Sequence, residues 1–114
     1  MMQLPEWVQE FPGAITVCDR TGTILYMNDR SLAAFADEGG EALVGCNLLD
    51  CHPEPARSKL ADLLAQAGSN SYTIEKHGVH TFIHQTPWYL SGVYQGLVEW
   101  SVEVPARLPH FVRR

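Results

Sequence analysis

Ile15-Thr16-Val17-Cys18-Asp19-Arg20-Thr21-Gly22-Thr23-Ile24-Leu25-Tyr26-Met27-Asn28 is the most informative run in the chain. Residues 14–18 and 23–27 are two β-rich runs, and the segment between them contains the Asp and Gly that suit a tight reversal. The pattern predicts a β-hairpin. Asn28 or Asp29 is placed to cap a following helix that presents Leu32, Phe35 and Ala36 on one side, and Gly39-Gly40 breaks it.

Upstream, Leu4, Trp7, Val8 and Phe11 fall on one face of a short helix, with Pro5 in its first turn and Pro12-Gly13 as its stop. So short a helix is marginal alone and must dock its stripe. Downstream, a helical turn through Ala42, Leu43 and Val44 is expected to end at Gly45. Pro53 and Pro55 then open a longer helix whose stripe is Leu60, Leu63, Leu64 and Ala67, ended by Gly68-Ser69-Asn70.

The remainder reads as strands over 71–76, 79–89 and 96–104, with His77-Gly78 as a two-residue turn and Ser91-Gly92 in the second connection. Consecutive hairpins imply an antiparallel sheet with the helices gathered on one face, an α+β arrangement. If Lys76 pairs with Val79, then Glu75 faces His80, Thr73 faces Phe82 and Ser71 faces His84. Tyr72, Ile74 and Ile83 then share the more apolar face, expected to meet the helices. The face bearing Phe82 and Trp88 needs another cover, either the N-terminal helix or a second subunit.

At 114 residues, 46% of them hydrophobic and 18% charged, the chain has the composition of one globular domain. The expected division is an N-terminal helix over 1–12, the domain proper over 13–105 and a tail over 106–114. A net charge of -5 argues against nucleic acid, because Arg107, Arg113 and Arg114 in the tail do not make a cationic footprint. No run approaches the roughly 20 apolar residues of a membrane span. Met1-Met2-Gln3-Leu4-Pro5-Glu6 lacks the basic start of a signal peptide. Cys18, Cys46 and Cys51 therefore read as reduced thiols in a cytoplasmic protein. There is no Gly-x-Ser-x-Gly elbow, phosphate loop or His-Glu-x-x-His, so the chain is expected not to be an enzyme.

The opening hairpin with Asn28 at its end resembles the PAS family. So do Leu43-Val44-Gly45 followed by Asn47-Leu48-Leu49, and Gly92 with Gly96-Leu97-Val98. The resemblance runs from about Phe11 to Pro105. It implies a five-stranded antiparallel sheet in the order 2-1-5-4-3, with helices forming a half-open cavity against it. It also implies a sensory module that binds a small ligand or a partner, often as a homodimer, and signals to a partner protein or output domain in trans. Candidate dimer contacts are Leu4, Trp7, Val8 and Phe11 of the N-terminal helix with Phe82 and Trp88 of the outer face. Tyr72, Ile83 and Trp100 are candidates to line the cavity. PAS domains hold haem, flavin, carboxylates, metals or nothing visible, so the fold does not name the ligand.

Cys46-Asn47-Leu48-Leu49-Asp50-Cys51-His52-Pro53-Glu54 is the most unusual string. Its Cys-His-Pro run resembles a bacterial PAS subgroup, and the chain is expected to be a stand-alone member. His52 is a candidate haem or metal ligand, since imidazole is the usual biological ligand for iron. Cys51, just ahead of a helix start, is a candidate redox thiol. The plain alternative is that both pack and cap the turn into the long helix. Covalent haem is disfavoured because four residues, not two, separate Cys46 from Cys51. A flavin adduct is disfavoured because Gly45-Cys46-Asn47 is followed by Leu48 where the blue-light subgroup has its reactive Cys.

His77, His80 and His84 invite a metal reading, but four residues along a strand span roughly 13 Å. One ion cannot bridge that distance, so no metal site is expected. A cross-strand pair of Glu75 with His80, which would favour the charged imidazole, is the better reading.

Overall fold

The computed structural model describes residues 4–114. The first hairpin forms as β1 (Ala14–Asp19) and β2 (Ile24–Met27). One carboxylate closes its turn: Asp19 Oδ1 accepts from Thr21 N at 2.9 Å, Thr23 N at 3.0 Å and Thr21 Oγ1 at 2.7 Å. Burial alone would raise the Asp19 carboxyl, but the bonds from Thr21, Thr23 and Gly22 outweigh it and hold the group below its usual range.

Asn28 is the cap foreseen for the next helix, α2 (Asp29–Ala34), and it does more than cap. It is fully buried, and its Oδ1 accepts from Ser31 N at 3.1 Å and Ile15 N at 2.9 Å. Its Nδ2 donates to Val8 O at 3.0 Å and Gly13 O at 2.9 Å. One amide thus ties the N-terminal segment, β1 and α2 together. Beneath it, Ser31 Oγ and Thr16 Oγ1 share a buried hydrogen bond.

The N-terminal helix, α1, is a single turn (Glu6–Gln9), shorter than the spacing implied. Pro5 and Pro12-Gly13 leave room for little more, and a single turn nucleates poorly. Only Val8 of its expected face is buried. Trp7 is 65% exposed and meets Phe11 edge-on at 6.0 Å between ring centroids. Residues 1–3 of the expected N-terminal segment lie outside the described residues.

Three 3-10 turns follow α2 (Ala36–Glu38, Gly40–Leu43 and Leu48–Cys51), and then α3 (Ala56–Gln66). Leu60 and Leu64 of α3 bury against Cys18 and Leu97, with Leu48 and Leu49 at the margin. Each buried leucine contributes about 1.5–3 kcal/mol. Ala67, expected in the stripe, is instead the C-cap in a left-handed conformation (φ 51°). Tyr94 Oη anchors the end of α3 by donating to Leu64 O at 2.8 Å.

Strands β3 (Asn70–Lys76), β4 (Val79–Leu90) and β5 (Val93–Val104) complete an antiparallel sheet in the order β2-β1-β5-β4-β3. The register is the expected one: Lys76 opposes Val79, Glu75 His80, Thr73 Phe82 and Ser71 His84. His77 and Gly78 both adopt positive φ (53° and 78°), as do Ser91 and Gly92 (48° and 81°), the requirement of the tightest hairpin turns. Tyr72, Ile74 and Ile83 face the helix side, as expected, although the β3 edge runs past the helices and leaves Ile74 46% exposed.

Candidate functional site

Between α3, the 3-10 turns and the inner face of the sheet lies a cavity of about 150 Å³. Met27, Leu48, Leu60 and Leu97 supply apolar wall, while His52, Gln85 and Glu99 supply polar groups. A more open chamber of about 270 Å³ adjoins it, sharing His52, Leu60, Gln85 and Glu99 and adding Lys59, Asn70 and Tyr72. A third hollow, on the α2 side, is lined by Ile74, Ile83, Arg30 and again Glu99.

Strand pairing explains the polar groups. Asn70 opposes Gln85, Gln85 opposes Glu99 and Glu99 opposes Thr16, so four polar side chains form one row across the inner face. Asn70 Nδ2 donates to Gln85 Oε1 at 3.0 Å, and Gln85 Nε2 donates to Glu99 Oε1 at 2.8 Å. Neither Gln85 nor Glu99 was singled out from the sequence. The signal was available, since period-2 alternation puts Gln85 on the face of Ile83 and Glu99 on the face of Leu97. A polar residue at a helix-facing strand position departs from the expected pattern.

His52 stands where the last 3-10 turn ends, and its Nδ1 is 2.7 Å from Leu48 O. A carbonyl only accepts, so Nδ1 carries the proton in this contact and Nε2 of the neutral ring is the open acceptor. Cys51 also lines the cavity, with Sγ 3.8 Å from Asn47 O. It closes a 3-10 turn and does not precede a helix start, because α3 begins only at Ala56. The positive end of α3 therefore does not lie at Cys51. Cys18 is buried, and burial, with the charges of Asp19 and Glu99 adding and a Leu97 backbone bond opposing, pushes its thiol up to about 11.

Of the other candidates, Tyr72 lies in the adjoining chamber, where burial first and the Glu99 charge second hold its hydroxyl protonated above the usual range. Ile83 lies in the third hollow. Trp100 stands on the opposite face of the sheet: it pairs with Ile15 and His84, one residue out of phase with Glu99, and packs on Phe82 and His84 at 5.6 and 5.4 Å. It does not line the cavity.

Among the dimer candidates, Trp7 is exposed, Leu4 and Phe11 are half-buried, and Phe82 belongs to the outer aromatic cluster. Val8 is buried and is not available to a partner. Trp88 is half-buried and spends its indole N–H within the chain, on Cys18 O. His80 Nε2 lies 3.3 Å from Glu75 Oε1, the cross-strand pair expected. Among the described residues, no three His, Cys, Asp or Glu side chains gather as a metal site, and no helix is long and apolar enough to cross a membrane.

Several solved structures share this architecture. The PAS domain of BvgS from Bordetella pertussis is 18% identical with a TM-score of 0.66, covering 88% of this chain and 82% of that one. The Aer2 receptor of Vibrio cholerae, described as a dual PAS-heme oxygen sensor, is 19% identical with a TM-score of 0.59, covering 82% and 95%. A sensory box sensor histidine kinase from Vibrio cholerae is 18% identical with a TM-score of 0.61, covering 87% and 86%. At these identities the likeness speaks for the fold. No curated protein sequence matches. The family described as "PAS fold" matches residues 8–107, from the buried turn of α1 past the end of β5. This chain belongs to the PAS fold family.

Proposed function

We propose that this chain is a non-catalytic, cytoplasmic sensory module that takes up a small ligand in the cavity under α3 and signals through association with a second copy or a partner protein. The observation that carries this reading is the convergence of His52, Gln85 and Glu99 on an otherwise apolar cavity. Apolar walls with a few placed polar groups are what small-molecule sites need. The wall formed by residues 36–51 is made of short 3-10 turns, the kind of segment that reorganises at low cost.

A fragment screen followed by backbone NMR tests it. The expected result is binding of at least one compound of about benzene size, with shifts grouped at His52, Gln85 and Glu99. No such shifts from any compound would end the reading.

Association is supported by the outer cluster of Phe82, His84 and Trp100, which α3 does not cover. Light scattering is expected to give a dimer that Phe82→Glu converts to monomer. A wild-type protein already monomeric at high concentration would refute it.

A haem reading has one observation in its favour, the open Nε2 of His52, and the sensor from Vibrio cholerae is described as haem-containing. The donor suits iron, but the 150 Å³ cavity beside it takes a porphyrin only if it opens into the adjoining chamber of about 270 Å³. A cavity of about 150 Å³ holds a molecule the size of benzene. Absence of a Soret band after adding hemin is the expected result. A band that disappears in His52→Ala would replace the small-ligand reading.

A further inference from the structure

The direction of the polar row narrows the chemistry of the ligand. An ionised carboxylate only accepts, so Gln85 must turn Nε2 toward Glu99, which leaves its Oε1 to accept from Asn70. The row therefore runs donor to acceptor in one direction and terminates on a carboxylate.

Glu99 borders all three hollows of the inner face. Among the described residues its carboxylate is in no ion pair, and the bond from Gln85 is its one side-chain partner. Among the described residues, neither Lys nor Arg lines the 150 Å³ cavity. His52 in its neutral form offers a lone pair at Nε2, Thr16 is engaged with Ser31, and Glu38 is a second acid at the wall. Lys59 borders only the adjoining chamber, and Arg30 only the hollow on the α2 side. A half-buried carboxylate beside Leu48, Leu60 and Leu97 has lost part of its hydration without a full set of donors in return.

We propose that the cavity selects a small, flat ligand carrying an N–H donor or a positive charge, such as an amidine or amino-heterocycle, and rejects carboxylates and phosphates. Glu99 receives the donor, and His52 Nε2 accepts from a second N–H where the ligand has one. The proposal rests on the ligand-binding reading above and sharpens it.

Three probes of similar size separate the two. Wild-type protein and Glu99→Gln are titrated with 2-aminopyridine, toluene and benzoate, followed by backbone NMR. In the wild type, 2-aminopyridine is expected to bind at least about tenfold tighter than benzoate, because a charge-assisted hydrogen bond is worth that much. Glu99→Gln keeps an acceptor for Gln85, so it is expected to retain toluene binding while losing the preference for 2-aminopyridine.

Benzoate binding as well as 2-aminopyridine, or an unchanged preference in Glu99→Gln, overturns the donor proposal and leaves the ligand-binding reading standing on toluene. If no probe perturbs the cavity, the ligand-binding reading itself falls. The wild-type ranking decides the question even if the variant is too unstable to study.

Discussion

Trp88 Nε1 donates to the carbonyl of Cys18 across 3.0 Å, joining β4 to β1 although β5 runs between them. The indole crosses β5 at Gly96, which pairs with Trp88 on one side and Asp19 on the other. A Cβ at position 96 would lie 2.1 Å from the same Cys18 oxygen, and the backbone there has a φ of 154° that L side chains rarely adopt. The register shift between Trp88 and Tyr89 is the local irregularity that accompanies this crossing.

Trp88→Phe should therefore cost about 1 kcal/mol from the hydrogen bond, plus the smaller packing loss. Gly96→Ala should cost more, about 3 kcal/mol or above, because the methyl group meets backbone that cannot move away. Urea unfolding of both variants measures this. Equal, sub-kcal effects would mean the crossing is not a structural requirement.

Asn28 is the second place where one side chain carries several connections. Asn28→Ala leaves Val8 O, Gly13 O, Ile15 N and Ser31 N without the partners they have now. A cap alone is worth about 1 kcal/mol, so a total of about 3 kcal/mol or more is expected. Asn28→Asp keeps both accepting contacts but sets a carboxylate oxygen against two carbonyls, and should also exceed the cost of a lost cap. A loss below 1 kcal/mol in either variant would show that the buried hub is replaceable by water.

Acid stability has an identifiable contributor in Asp19. Its folded carboxyl is held below the ordinary value of 3.8 by the bonds from Thr21, Thr23 and Gly22, which outweigh desolvation. A depressed carboxyl contributes stability that is fully present above about pH 5 and fades as pH falls through the folded value. Asp19→Asn should thus lower Tm at pH 6, and the gap from wild type should close toward pH 3. A gap that stays constant across this range would rule out the carboxylate as its origin.

The candidate site is only partly legible in the sequence. His52 was visible as a candidate because imidazole is the usual biological ligand for iron and its Cys-His-Pro run resembles a PAS subgroup. Tyr72 and Ile83 followed from alternation once the His77-Gly78 turn set the register. Trp100 was misplaced because its face depends on pairing across β5, with Ile15 on one side and His84 on the other. Val8, on the expected partner face, is buried within the chain, and Asn28, distant in sequence, holds its carbonyl. Cys51 was assigned a helix-start environment that vanished when residues 48–51 formed a 3-10 turn of their own.

What the chain determines by itself is local. Asp19 and Gly22 set the first turn, His77-Gly78 and Ser91-Gly92 set two more, Asn28 caps α2, and the Leu60–Leu64 spacing makes one face of α3 apolar. These rest on backbone preferences and side-chain periodicity over a few residues, where the interacting groups are neighbours along the chain. Tertiary structure decided the rest: that Gln85 and Glu99 join His52 at one cavity, that Glu99 is in no ion pair among the described residues, and that Trp88 reaches Cys18. Each depends on β5 lying between β1 and β4, a long-range pairing that no local preference specifies.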